Sequence, residues 1–432
     1  QLVNLLYNVV DRIYIGHMPE VGRVALTGVG LCLPIVTLIT AFTMLIAQGG
    51  APRAAIAMGE GNNERAQEIM GSCFTSLVAA AVVLTAAFWL WGEQLLWIFG
   101  CSEETIIYAL PYMRIYSSGS FFVMMAVGMN LFVTTQGFTS FSMRTVLIGA
   151  ICNIILDPIF IYVLGLGVQG AALATVISQA VSGLWVLWFL TGKTTRLRLQ
   201  RRYLRPKLEI MLPVLALGLA PFIMQATEAL LNISFNSSLQ RYGGDLAVGA
   251  MTVASTVMQI VWIPTQGLGQ GAQPIISYNY GARNPDRVRA AFKALLGVSM
   301  TVMLTFWALV QLFPQVFIRI FNSDPELLET AVWTLRVYTA VVGLFGIQMA
   351  VQQTFTAIGK AKAALFIACL RKVILLIPLI FILPHFFENK VFAVFLAEPV
   401  SDFISVTAAA ITFYFVFRPA MKELEAPPEG EI

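Results

Sequence analysis

Gln48-Gly49-Gly50-Ala51-Pro52 and Gln270-Gly271-Ala272-Gln273-Pro274 stand 222 residues apart, and the same offset governs the residues after each of them. Gly59, Asn62 and Arg65 recur as Gly281, Asn284 and Arg287. Glu104, Ala109, Arg114 and Tyr116 recur as Glu326, Ala331, Arg336 and Tyr338, and Thr134 and Gly137 as Thr356 and Gly359. One constant spacing held over about 90 residues marks an internal duplication. Gly and Pro near the end of an apolar run loosen a helix and let backbones approach. The repeated element therefore reads first as a turn and packing device.

The duplicated halves are apolar. Hydrophobic residues make up 58% of the 432 and charged residues 12%, far from the balance of a water-soluble domain. The chain reads as an integral membrane protein. A net charge of +4 is too small to argue for nucleic acid. The five cysteines, Cys32, Cys73, Cys101, Cys152 and Cys369, are scattered without CxxC spacing, which argues against a zinc site or disulfide framework.

Stretches long enough to cross about 30 Å of hydrocarbon run over 1–17, 23–49, 67–91, 105–133, 142–165 and 168–191. They resume over 208–240, 245–278, 288–313, 326–358, 362–385 and 390–418. The expected fold is an all-α polytopic membrane protein, twelve helices in two pseudo-symmetric six-helix bundles. Residues 1–191 form the N-terminal lobe, 192–207 a basic linker, 208–418 the C-terminal lobe and 419–432 a tail. Aligning Asn8 with Asn232 leaves the first span short by about 18 residues, so a truncated start is expected. Six spans per half put both ends of each half on one side, so the repeat is parallel. Lys193, Arg196, Arg198, Arg201, Arg202, Arg205 and Lys207 crowd the linker without an acid. By the positive-inside rule the linker and both termini are cytoplasmic.

Ionisable groups inside such spans are functional candidates, because the membrane interior makes them costly. Asp11 shares a helix face with Tyr7 and Asn8, and Asp157 follows Asn153 by one turn. A carboxylate in such a cluster can titrate near neutral pH, which suits a proton-coupled device. The second half offers Glu228, Glu398 and Asp402, with Arg371-Lys372 as balancing cations or substrate contacts. Met44, Met251, Met258, Met349, Phe121, Phe122, Trp262 and Phe355 read either as packing or as an adaptable apolar lining. HExxH, GxSxG and nucleotide-binding motifs are absent, which argues against an intramembrane enzyme and leaves an ion gradient as the energy source.

Four stretches carry a family likeness: Leu6-Tyr7-Asn8-Val9-Val10-Asp11-Arg12, the Gln-Gly-x-x-Pro element, Asn153–Pro158 and Gly170–Gln179. Together they resemble the multidrug and toxic compound extrusion (MATE) family, specifically its DinF-like branch. The second half, with Gln225-Ala226-Thr227-Glu228, is similar to MepA-type bacterial exporters. The resemblance covers essentially the whole chain. It implies export of organic cations and amphiphilic drugs from a bacterial cytoplasmic membrane, by antiport with protons or sodium and without a cofactor, by a monomer. It also implies a cation-coupling cluster of Asp11, Tyr112, Asn130, Asn153, Asp157 and Thr175, with sodium, where used, near Asp11, Asn153 and Asp157. Glu228 falls near a C-lobe cation site of other branches. Their partner aspartate after span ten is missing, since the sequence there reads Ala357-Ile358-Gly359-Lys360-Ala361. The rival reading is a lipid-linked precursor flippase of the same broad superfamily, which usually has fourteen spans and a basic cavity.

Overall fold

The repeated Gly-x-x-Asn-x-x-Arg element is a helix-to-helix turn built the same way twice. The helices Leu33–Gly59 and Leu208–Gly281 each end on the motif glycine. Asn62 then caps the helix Asn63–Ile98 by accepting from Arg65 N at 2.9 Å, and Asn284 caps Pro285–Leu312 by accepting from Arg287 N at 3.1 Å. A short side-chain oxygen satisfying a free amide of the first turn is what selects Asn at both positions. Between glycine and cap the backbone must pass through the left-handed region. Gly61 does so at φ 78° and its repeat mate Arg283 at φ 52°. Glycine makes that turn without strain, whereas an arginine does not. The Arg283 side chain donates to the carbonyls of Glu423 and Ala426 at 2.8 and 2.6 Å, contacts that help hold the residue there. A second pair behaves alike: Gly137 (φ 89°) and Gly359 (φ 74°) end their helices in the left-handed region that favours glycine.

The computed structural model describes residues 14–15, 18, 22–319 and 325–426. Nine described helices are long and apolar enough to cross a membrane, and Glu103–Ser118 with Ser120–Thr135 form a tenth, bent by 56°. The 74-residue helix Leu208–Gly281 is two spans joined at Gly244, whose φ of 63° and ψ of −159° are not helical. The fold is therefore the all-α, twelve-span arrangement expected, with the span expected at 1–17 lying mostly outside the described residues. Numbering by that scheme, span two is Val24–Gly59, three Asn63–Ile98, four the bent pair, five Thr139–Val163, six Gly167–Thr191 and seven and eight the two parts of Leu208–Gly281. Span nine is Pro285–Leu312, ten Leu328–Ala357, eleven Ala361–His385 and twelve Lys390–Glu425. Outward-facing Leu90, Trp91, Val163, Trp188, Phe386 and Phe415 are all more than half exposed. Apolar exposure on that scale fits a lipid solvent.

The chain forms two compact units, Gln1–Phe222 and Ile223–Ile432, dividing within span seven. In the first unit the start of span seven crosses span two with its backbone pressed close. A Cβ on Gly218 would sit 1.7 Å from the Leu45 carbonyl oxygen, and one on Gly49 would sit 2.0 Å from that of Val214. The motif glycine of the first half is thus a helix-crossing residue. Its repeat mate Gly271 has nothing within 4 Å of a Cβ. The basic linker is pinned over span three: Tyr203 donates to Glu64 at 2.9 Å, Lys207 pairs with Glu68 at 2.5 Å, and Thr75 donates to the Leu204 carbonyl at 2.5 Å. Gln136 holds the linker's start, accepting from Leu197 N at 2.7 Å.

Gly218→Ala should cost at least about 1–3 kcal/mol in stability, because the clash is with backbone and cannot be relieved by a rotamer. Gly271→Ala should be neutral or gain about 0.5–1 kcal/mol from helix propensity. Thermal unfolding of the two detergent-purified variants measures both. Equal melting temperatures would contradict the crossing.

Candidate functional site

Span five carries the first site. Its α-helix Thr139–Pro158 passes at Pro158 into a π-helical turn, Ile159–Val163. Proline removes an amide donor and disturbs the ladder one turn back. Asp157 sits at that break and is wholly buried. Asn153 Nδ2, one turn earlier, donates to Asp157 Oδ1 at 3.0 Å and lies 3.5 Å from Thr175 Oγ1 of span six. Thr175 itself donates to the Ala171 carbonyl at 3.0 Å, leaving its oxygen to receive from Asn153. Asn153 Oδ1 is buried without a hydrogen-bond partner among the described residues. A carboxylate, an amide and a hydroxyl thus converge from two spans, with oxygens to offer a cation or proton.

Other members of the expected cluster lie elsewhere in the unit or beyond the described residues. Tyr112 is buried in span four and stacks on Tyr116, ring centroids 6.2 Å apart. Asn130 is buried just after a π-helical turn at Met125–Met129 and donates to the Ser142 carbonyl at 3.4 Å. Tyr7, Asn8 and Asp11 lie outside the described residues.

The second unit holds a larger constellation. Glu228, Glu398 and Asp402, read separately from the sequence, are joined through Arg371 and Lys372. Span eleven widens into a π-helical turn over Leu370–Leu376, and both cations on it are buried. Arg371 donates through Nη2 to Glu398 Oε1 and through Nε to Asp402 Oδ1, each at 2.7 Å. Glu398 and Asp402 are one turn apart on span twelve, so one guanidinium fork reaches both. The guanidinium lies 4.5 Å from the Phe345 ring centroid and 5.7 Å from that of Trp262. Lys372 turns to span seven instead, pairing with Glu228 and donating to the Met224 carbonyl at 2.9 Å. The neighbours are hydrogen-bonded in turn: Ser401 donates to the Arg371 carbonyl at 2.8 Å, and Ser405 to Gln348 Oε1 at 2.7 Å. Gln348, Ser401 and Ser405 gave no sequence signal, being common polar residues within apolar runs.

The apolar candidates divide. Met251, Met258, Met349 and Phe355 are buried, and the three methionines belong to the core of the second unit. They are packing residues here. Among the described residues no group of three His, Cys, Asp or Glu side chains is placed to hold a metal ion. The five cysteines are free thiols.

Known proteins share this arrangement of helices. Residues 1–159 and 221–382 match the MatE family model, one stretch in each half. The chain is 25% identical to the multidrug export protein MepA of Staphylococcus haemolyticus over 410 residues, 94% of this chain and 89% of the relative. For the MepA of Staphylococcus saprophyticus the identity is 23%, over 92% and 88%. A crystal structure of a MATE protein in the bent conformation has the same fold, with a TM-score of 0.91 at 23% identity over 98% of this chain and 94% of that one. The MATE multidrug transporter DinF-BH, solved in complex with a rhodamine dye, gives a TM-score of 0.88 at 32% identity over 97% and 93%.

Proposed function

The chain belongs to the MATE family of multidrug transporters, which are not enzymes, and from that premise we propose that it exports organic cations and amphiphilic drugs by antiport with protons or sodium. The supporting observation is the buried Asp157–Asn153–Thr175 cluster. A wholly buried carboxylate inside a membrane span is costly unless it is protonated or meets a cation, so its occupancy can be tied to an ion gradient. A proton and a positively charged guest compete for one negative charge, and that sign of competition is what antiport requires. Protonation on the outer side weakens the hold on the guest, and deprotonation on the inner side restores it. Each ligand shifts the inward–outward equilibrium only by its differential affinity for the two states.

In this reading the protein works as a monomer in a bacterial cytoplasmic membrane, with linker and termini in the cytoplasm and no cofactor beyond the coupling ion. The sodium form of the reading uses Asp157 and Asn153 with Asp11. Cationic dyes such as the rhodamine bound by DinF-BH are the proposed cargo. The test is dye efflux from vesicles holding the full chain, with a pH gradient or a sodium gradient imposed one at a time. Efflux should follow one gradient, or both, and collapse with an ionophore for that ion. Vesicles that expel no organic cation under either gradient would rule the proposal out.

A further inference from the structure

The two halves of the second unit's ion network differ in access. Arg371, Glu398 and Asp402 are each less than a tenth exposed, as is Lys372, yet the Glu228 side chain is 56% exposed. A carboxylate open in the middle of a transmembrane helix is tolerated where it faces water or a polar guest rather than lipid. Its partner on the inner side is the chain's own ammonium.

We infer that Glu228 receives the positively charged group of the exported molecule, and that Lys372 is a tethered cation which this group displaces. The inference deepens the export reading above and rests on it.

Displacement needs somewhere for the ammonium to go, since an unpaired buried charge is prohibitive. That place exists. An ammonium has three donors; Lys372 uses one on Glu228 and one on the Met224 carbonyl, and the third has no acceptor among the described residues. Glu398 has the complementary vacancy, because Arg371 takes Oε1 while Oε2 is buried without a hydrogen-bond partner. Lys372 lies within electrostatic reach of Glu398. The network holds three carboxylates and two cations, so one negative charge remains to be balanced by a guest. With a cation seated at Glu228, the ammonium turns toward Glu398 Oε2 and all five charges stay partnered. Once the guest leaves, the lysine returns to Glu228. The site resets itself without taking an ion from solution.

The experiment is equilibrium binding of a cationic rhodamine dye to the detergent-purified full chain, followed by fluorescence anisotropy, with uncharged Nile red as the comparison ligand. Lys372→Met removes the competitor and should tighten rhodamine binding about tenfold, the scale of one close charge pair. Glu228→Gln should weaken rhodamine binding about tenfold and leave Nile red binding unchanged. The double variant should bind like Glu228→Gln alone. Unchanged or weaker rhodamine binding by a folded Lys372→Met protein overturns the inference. Where Lys372→Met does not fold, Glu228→Gln decides: equal losses for rhodamine and Nile red, or no loss of rhodamine, overturn it. If the wild-type vesicles expel rhodamine while the variants bind it equally, this inference falls and the export reading stands. If the vesicles expel no cation, both fall.

Discussion

Asp157→Asn should reduce gradient-driven efflux to the leak rate of protein-free vesicles while the protein folds and purifies normally. Asparagine keeps the volume of aspartate, and its carbonyl oxygen can accept from Asn153 Nδ2 where Asp157 Oδ1 now does, at 3.0 Å. It cannot gain or lose charge. The variant therefore preserves packing and removes only the feature on which coupling rests. Stability should hold or rise slightly, because a buried ionisable group is replaced by a neutral one of the same shape. The contrast between a normal melting curve and absent efflux separates function from folding. Undiminished efflux would take Asp157 out of the mechanism.

Arg371→Met should destabilise the second unit by about 3–5 kcal/mol, since it strands buried carboxylates that the guanidinium now neutralises. Glu398 and Asp402 each lose a 2.7 Å charge-assisted bond, and neither is open to water. The stacking of the guanidinium near Phe345 is lost as well. Adding Glu398→Gln and Asp402→Asn to Arg371→Met should recover most of the loss, because a buried ion triad replaced as a whole is often neutral in stability. The readout is the melting temperature of the purified single and triple variants. A single variant as stable as the parent would mean that the two carboxylates are neutralised by something other than Arg371.

The fold was legible because its two signals are local: apolar run length, and a repeat at constant offset. Even the asparagine caps could be read, since Asn62 and Asn284 act on residues three positions ahead. The pairing of Asn153 with Asp157 was legible for the same reason, both lying one turn apart on one helix. What distance in sequence conceals is partner choice. Arg371 and Lys372 were candidates to balance Glu398 or Asp402, and Arg371 does take both. Lys372 goes to Glu228, 144 residues away, and nothing in either segment announces it. The π-helical turn that carries both cations has no sequence mark such as the proline at Pro158. Gly49 and Gly271 make the same point from the other side. The motif is identical, but only Gly49 meets a crossing backbone, because only in its unit does another helix arrive there.

The divergence between Gly61 and Arg283 has a consequence of its own. In the first half the bend is self-sufficient, shaped by a residue that asks nothing of its surroundings. In the second it is tethered to the far end of span twelve through Glu423 and Ala426. Damage or modification at that end would reach the span eight–nine hairpin and leave the hairpin after span two untouched, so the duplicated halves are no longer equally vulnerable.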